Sequence, residues 1–196
     1  MKKKSLALVL ALALMVVGAV GGTLAWLTAQ TDAVTNTFTT SNITVKLAET
    51  TGTEYKMVPG YELEKDPKAW VVSGSEDCYL FVKLDWANNT YASGEKTKNY
   101  LDWKIADGWE KVDGTPDVYS RKVTSEHMST DEGKNNAFPV LKDNKVTVSG
   151  DITKAQMNDF TENNLPKLTI TAYASQLYKS AGVEFTAKEA WDNINK

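Results

Sequence analysis

The sequence is short of the residue types that most catalytic and metal sites need. It has one cysteine, Cys78, and one histidine, His127, among 196 residues. One chain therefore forms no internal disulfide and builds no zinc site from cysteine and histidine. A catalytic triad would have to use His127, whose polar neighbours are typical of a solvated loop. We expect no catalytic residue, no metal site and no cofactor.

Signals for nucleotides and nucleic acids are also missing. The sequence has neither Gly-x-Gly-x-x-Gly nor Gly-x-x-x-x-Gly-Lys, the loops that hold phosphates. Its 22 basic and 25 acidic residues give a net charge of -3. Without Lys2, Lys3 and Lys4, 19 basic residues face 25 acidic ones, a net charge of -6. An acidic chain without a basic run is a poor partner for nucleic acid or anionic lipid.

The N-terminus has the three parts of a secretory signal peptide. Lys2 to Lys4 are followed by an uncharged apolar run from Leu6 to Val20 and then by small residues. Thr23 and Ala25 fit the small pockets of a signal peptidase, which predicts cleavage before Trp26. We therefore predict a signal peptide over residues 1–25 and an exported domain over 26–196.

An uncleaved anchor is the alternative. Leu6 to Leu27 is 22 residues of apolar, small or hydroxyl character, long enough to cross a bilayer. In either case residues 26–196 lie outside the membrane, and membrane contact is confined to the N-terminal segment. We expect a secreted or cell-surface protein.

Alternating apolar and polar residues predict short β-strands through the exported part. The clearest runs are Ile43 to Leu47, Leu80 to Trp86, Val118 to Val123, Val146 to Val148 and Leu168 to Ser175. Turn residues separate them, and Ala106-Asp107-Gly108 predicts a hairpin between Trp103–Ile105 and Trp109–Val112. The spacing predicts an all-β fold, an antiparallel jelly-roll-like sandwich preceded by the signal helix.

Two short helices are predicted within this β pattern. Thr153 begins the first, over Thr153–Asn163, with Gln156 three residues on. Thr186 begins the second, over Thr186–Asn195, with Glu189 three residues on. Both pairs are typical capping boxes. Cys78 precedes an apolar run and is expected to be buried, and the polar stretch 125–136 is expected to be a mobile loop.

Exposed tryptophans favour a second function, because sugar binders stack aromatic rings on sugar faces. Trp86 and Trp191 are in phase with apolar stripes, which predicts that they are buried. Trp103 and Trp109 flank the predicted hairpin and are the candidate surface-binding residues for a glycan or a protein.

The segment Thr28 to Thr40 contains neither proline nor glycine and is rich in threonine. Such a chain can pair as a strand without a core of its own, on an open sheet edge of another copy. Ala33, Val34, Phe38 and Ile43 are the candidate apolar residues of this assembly strand, whose donor part is residues 26–40. The alternative is an ordinary first strand of its own sandwich.

Both ends of the chain resemble a known family of exported proteins. Gly21-Gly22-Thr23-Leu24-Ala25-Trp26 followed by Asn36 to Val45 resembles the SipW-cognate signal peptide class of Gram-positive bacteria. Val58 to Pro67, with its Pro-Gly pair, and Leu168 to Gln176, with its Ala-x-Gln ending, are similar to the TasA/camelysin family. The residues between Asn88 and Gly150 show no such similarity.

This resemblance implies cleavage by a SipW-type signal peptidase, a jelly-roll sandwich and a structural role in surface fibres or biofilm matrix. It also implies self-association, or association with related matrix subunits, through a donated N-terminal strand. Camelysin-type members have been called metalloproteases, but one histidine without metal-ligand spacing does not support that activity. A surface binding module is the alternative, and a hydrolase is the least favoured.

Overall fold

The computed structural model describes residues 42–52 and 54–194. The predicted signal helix, residues 1–25, lies outside this range. The described chain is mostly strand, as the alternating pattern predicts. Fourteen strands follow one another: β1 Val45–Ala48, β2 Glu62–Glu64, β3 Lys68–Val71, β4 Cys78–Ala87, β5 Thr90–Ser93, β6 Lys96–Asn99, β7 Leu101–Ile105, β8 Glu110–Lys111, β9 Val118–Val123, β10 Phe138–Pro139, β11 Leu141–Val148, β12 Lys167–Gln176, β13 Tyr178–Ser180 and β14 Val183–Glu184.

Neighbouring strands pair antiparallel throughout. Three sheets have the orders β1-β3-β10, β2-β11-β7 and β12-β4-β9-β8, and two further pairs are β5-β6 and β13-β14. Side chains from all three larger sheets meet in one apolar core. The predicted all-β antiparallel sandwich is confirmed.

Strand β4 is buried on both faces and organises the molecule. One set of alternate residues, including Cys78, Leu80 and Val82, lies fully buried in the main core. The intervening residues Tyr79 and Phe81 contribute to a second, smaller core. A strand covered on both sides reads as a continuous apolar run, which explains why Cys78 to Val82 is apolar throughout, whereas polar residues alternate from Lys83 onwards.

A C-terminal helix covers the second face of the β4 sheet. This helix, α2, spans Ala187–Ile194. The ring centroid of its Trp191 lies 5.3 Å from that of Phe81 and 5.3 Å from that of Tyr173, which it meets edge-on. The predicted burial of Trp191 is therefore confirmed, and its apolar stripe is core.

The first helix is shorter than the sequence pattern predicts. It is α1, Lys154–Asn158, and its capping box joins Thr153 and Gln156 as expected. The capping signals predicted the start of the helix correctly. The helix ends early because the chain turns at Asp159, and Asn164 Nδ2 donates to the carbonyl oxygen of Asp159 at 2.9 Å.

The hairpin predicted across Ala106-Asp107-Gly108 is wrong. The turn exists, with Gly108 at a φ of 86°, but the strands on its two sides join different sheets. β7 pairs with β11, whereas β8 pairs with β9. The amide of Ala106 donates to the carbonyl oxygen of Val140 at 2.9 Å, which directs the chain across the sandwich.

The polar stretch 125–136 contains local structure and buried residues that its polar composition does not predict. It begins with a 3₁₀ helix, Ser125–His127. Met128 and Ser129, which follow, are buried, with 5% and 1% of their surface exposed. Ser129 also exchanges backbone hydrogen bonds with Val71 and Ser73 on the sandwich.

Candidate assembly edge and aromatic cleft

β12 is the longest edge strand among the described residues. It pairs with β4 over its full length, from Lys167 opposite Ala87 to Gln176 opposite Cys78. No strand of the described ranges pairs with its other side. The edge strands β8 and β10 are only two residues long. Among the described residues, β1 packs near β12 without pairing with it, so the backbone groups on this side of β12 are a template for a further strand.

Two clefts lie at opposite ends of this edge. The first, here called the aromatic cleft, has a volume of about 730 Å³ and is lined by β12 residues Lys167 to Thr169. The second, here called the polar cleft, has a volume of about 750 Å³ and is lined by Ala174 to Gln176. β12 thus runs from one cleft to the other.

The aromatic cleft is lined by buried and half-buried apolar side chains of the core. Leu63, Leu101, Val146 and Leu168 line it, and they come from the strands β2, β7, β11 and β12. Sheets that pack face to face normally bury such residues between them. The cleft thus borders the apolar core of the sandwich.

Two aromatic side chains, Trp86 and Tyr55, also line this cleft. Trp86 stacks on Trp103, with the ring centroids 6.4 Å apart and the planes at 26°. Trp103 in turn meets Tyr119 edge-on at 5.9 Å. The Nε1 atom of Trp86 is buried without a hydrogen-bond partner among the described residues. The stack holds the Trp86 ring in place as one wall.

A polar network fixes the loop that forms the opposite wall. Lys65 Nζ lies 2.9 and 2.8 Å from the two carboxylate oxygens of Glu49, and Tyr55 donates to Glu49 Oε1 at 2.5 Å. Burial and the hydrogen bond to Glu49 raise the pKa of Tyr55 to about 12. Tyr55 therefore stays a neutral donor at ordinary pH, and its ring keeps a fixed place in the cleft.

The candidate surface-binding tryptophans are not exposed as predicted. Trp109 is buried, with 7% of its surface exposed, and its Nε1 donates to the carbonyl oxygen of Pro139 at 2.8 Å. Trp103 is half-buried between Trp86 and Tyr119. The prediction of exposure is wrong for Trp109, because the hairpin that was to present it does not form.

Most residues of the predicted cleavage site and assembly strand lie outside the described ranges. These are Thr23, Ala25, Trp26, Ala33, Val34 and Phe38. Ile43 is described, and it is half-buried and packs against the main core of its own sandwich. A strand available to another copy therefore ends before Ile43.

His127 and Cys78 differ in their exposure to solvent. His127 is exposed at the end of the 3₁₀ helix, with Thr124 Oγ1 at 2.9 Å from its Nδ1. Cys78 is fully buried, as predicted, and burial raises its pKa to about 12. Within residues 42–52 and 54–194, no group of three or more histidine, cysteine, aspartate or glutamate side chains could hold a metal ion.

Sequence reasoning missed Tyr55 and Leu63, which line the aromatic cleft. Tyr55 lies in an irregular segment and Leu63 in a strand of three residues, so neither belongs to a periodic run. Trp86 was expected to be buried, and it is half-buried at the cleft wall. The only sequence signal for the aromatic cleft is the aromatic and apolar character of the residues that line it.

The fold and the edge define a class, an all-β sandwich with one long edge strand left unpaired among the described residues. Comparison of the chain with protein-family models, with curated proteins and with solved structures finds no match in any of the three. Among the helices of the described ranges, none has the length and apolar character to cross a membrane.

Proposed function

We propose that this chain is an exported structural protein of the cell surface or biofilm matrix, which assembles into fibres by strand addition. One observation carries the proposal: the outer edge of the ten-residue strand β12, with which no described strand pairs. The donor is residues 26–40 of a second copy, freed by a SipW-type signal peptidase. The role is structural rather than enzymatic.

The physical driving force is the completion of a sheet. A further strand on β12 would satisfy the backbone N–H and C=O groups along its edge, as in other strand-addition complexes. The two surfaces differ, since one is an N-terminal segment and the other a sheet edge. Such a head-to-tail contact does not close on itself unless the rotation allows a ring, so it builds filaments.

The composition of the segment supports this role. Residues 28–40 have no proline or glycine, and Asp32 is their only charged residue. Threonine, which is abundant here, fits a pleated strand. The segment thus has strand propensity without enough apolar surface for a core of its own. The resemblance of both chain ends to the TasA/camelysin family agrees with a matrix role.

Deletion of residues 26–40 tests the proposal. The full chain is expressed with its own N-terminal segment in an exporting bacterium, and the exported protein is sequenced from its N-terminus and viewed by negative-stain microscopy. We expect fibres from the parent chain. The deletion variant should stay monomeric, with unchanged circular dichroism, because the sandwich retains its own core.

A matched control keeps the length of the segment but removes its pairing capacity. The variant Thr31→Pro, Thr35→Pro, Thr39→Pro lacks three amide donors and resists the regular strand conformation. It should also fail to form fibres. Fibres of unchanged appearance from either variant would show that the segment is not the donor.

A surface binding module is the second candidate, favoured by the Trp86 and Tyr55 rings in the aromatic cleft. Its ligand would be a glycan or an extended peptide that stacks on these rings. A saturable change in tryptophan fluorescence on titration with oligosaccharides, abolished by Trp86→Ala, would favour this candidate over assembly.

A further inference from the structure

The two clefts at the ends of β12 differ in chemical character. Leu63, Trp86 and Leu168 are among the residues that line the aromatic cleft. Glu76, Asp77 and other polar groups line the polar cleft. A large apolar side chain is buried against more apolar surface in the aromatic cleft than in the polar cleft, so its burial there is more favourable. Of the two, the aromatic cleft is therefore the place for an apolar anchor.

The chain is fixed beside the polar cleft where it enters the sandwich. Asn42 lines this cleft, and its carbonyl oxygen accepts a hydrogen bond from the amide of Glu76 at 3.3 Å. The amide of Thr44 donates to Ser75 Oγ at 3.0 Å. The segment before Asn42 therefore starts from the Gln176 end of β12, opposite the aromatic cleft.

The four-residue separation of Phe38 from Asn42 limits how far a chain's own Phe38 can lie from the polar cleft. Phe38 of a neighbouring copy has no such limit. Phe38 is four residues before Asn42, and four extended residues span about 14 Å. The polar cleft that Asn42 lines meets β12 at Ala174 to Gln176, so counted from Ala174 the chain's own Phe38 comes no further than the level of Ile170. Leu168, in the aromatic cleft, lies two strand residues beyond, about 7 Å away. A chain cannot place its Phe38 backbone in its own aromatic cleft.

We propose that the aromatic cleft receives Phe38 of a second copy of this chain. This inference rests on the proposed assembly by strand addition and names the anchor of that contact. The donor has two aromatic residues, Trp26 at its first position and Phe38 within the threonine-rich part from Thr28 to Thr40. Because a chain's own Phe38 falls short of this cleft, this Phe38 contact is made in trans.

The position of Phe38 also gives the direction of the added strand. Phe38 stands near the C-terminal end of the segment, and the aromatic cleft is at the N-terminal end of β12. Antiparallel addition lets residues 28–37 run along β12 towards Gln176. Parallel addition would carry them past Lys167, off the strand. The donated strand is antiparallel to β12, and Val34 lies on the same face as Phe38.

A cysteine cross-link between two different chains tests the contact. One exported full chain carries Phe38→Cys and the other carries Leu168→Cys, and the mixture is assembled and oxidised in air. We expect a disulfide-linked dimer on a non-reducing gel, because opposite residues of an antiparallel pair lie close enough. The native Cys78 is fully buried and does not compete.

Two further acceptors keep the test decisive. Leu165→Cys also lines the cleft and is 40% exposed, so it replaces Leu168→Cys should that variant misfold. Gln176→Cys, at the opposite end of β12, is the matched control and should give no dimer with Phe38→Cys.

The outcomes separate this inference from the proposed function. Fibres with a cross-link to Gln176→Cys, or with none, would overturn the Phe38 assignment and leave strand addition standing. A doubly substituted Phe38→Cys, Leu168→Cys chain that cross-links only within itself would also overturn it. An absence of both fibres and cross-links would overturn both.

Discussion

At the scale of single residues, Asp66 is a buried carboxylate that has no cationic partner among the described residues. It accepts hydrogen bonds from the amides of Thr50 and Thr51 at 2.9 and 3.0 Å and from the Thr50 hydroxyl at 2.5 Å. Burial alone raises its pKa, but these hydrogen bonds outweigh burial and hold the pKa at about 2. Asp66 thereby fastens the segment after β1 to the connection between β2 and β3.

Asp66→Asn should destabilise the fold by about 1–3 kcal/mol, because an amide offers one acceptor oxygen where three donors converge. Urea denaturation followed by circular dichroism measures the change. The control is Asp131→Asn, whose exposed carboxylate pairs with Lys46 at the surface and should cost under about 1 kcal/mol. Equal losses in the two variants would contradict the role of Asp66.

Arg121 explains why Trp109 is buried, although the sequence pattern predicts that it is exposed. It is the only arginine of the chain. Its guanidinium stacks 3.6 Å from the ring centre of Phe138 and 5.3 Å from that of Trp109. A flat, weakly hydrated cation can cover two aromatic rings in this way. Trp109 is thus covered by a residue twelve positions away, a contact that no local pattern shows.

At the scale of elements, the helices show which local signals are reliable. Both starts were predicted from a threonine and a glutamine or glutamate three residues on, since the cap depends only on neighbouring residues. The end of α1 and the pairing of β7 and β8 were missed. Both depend on where the rest of the chain provides hydrogen-bond partners.

The two capping boxes provide a matched pair of variants. Thr186→Ala should cost about 1 kcal/mol, because Thr186 Oγ1 accepts from the amide of Glu189 at 3.3 Å and α2 carries the buried Trp191. Thr153→Ala should cost less, because α1 has no buried residue. Chemical denaturation of both variants measures the difference. A larger loss from Thr153→Ala would show that α2 is not needed for the second core.

At the scale of the whole molecule, the sequence predicts the kind of fold and not the site. The all-β class and the strands β4, β9 and β12 follow from alternation, a local property. The aromatic cleft is formed by side chains from four strands and an irregular loop, brought together only by sheet topology. Strands of two or three residues, such as β2, are too short to give a period. Of the sequence-based binding residues, Trp109 was therefore misplaced, while the unpaired edge of β12 could not be foreseen.

Acid should destabilise the whole sandwich over a defined pH range. The folded chain holds the pKa of Asp66 at about 2, against 3.8 for the ordinary group, and that of Glu189 at about 2, against 4.5. Glu189 owes this first to the ammonium group of Lys179 and then to the hydrogen bonds from Thr186. Above about pH 5 both carboxyls are ionised whether the chain is folded or not, so their full contribution is present. Between about pH 4.5 and 2 the unfolded chain binds protons that the folded chain does not bind, so the free energy of unfolding falls.

Urea midpoints measured from about pH 7 down to about pH 2 test this dependence. We expect a level region above about pH 5 and a steady loss below it. The Asp66→Asn variant should lose less over the same range, because one of the two responsible carboxyls is gone, so its curve and that of the parent chain should converge in acid. Added salt should weaken the Glu189 part, which includes a surface ion pair, and leave the Asp66 part, which rests on neutral donors. Midpoints that hold steady to pH 2, or two curves that stay parallel, would contradict the hydrogen-bonded carboxylate at Asp66 as a source of stability.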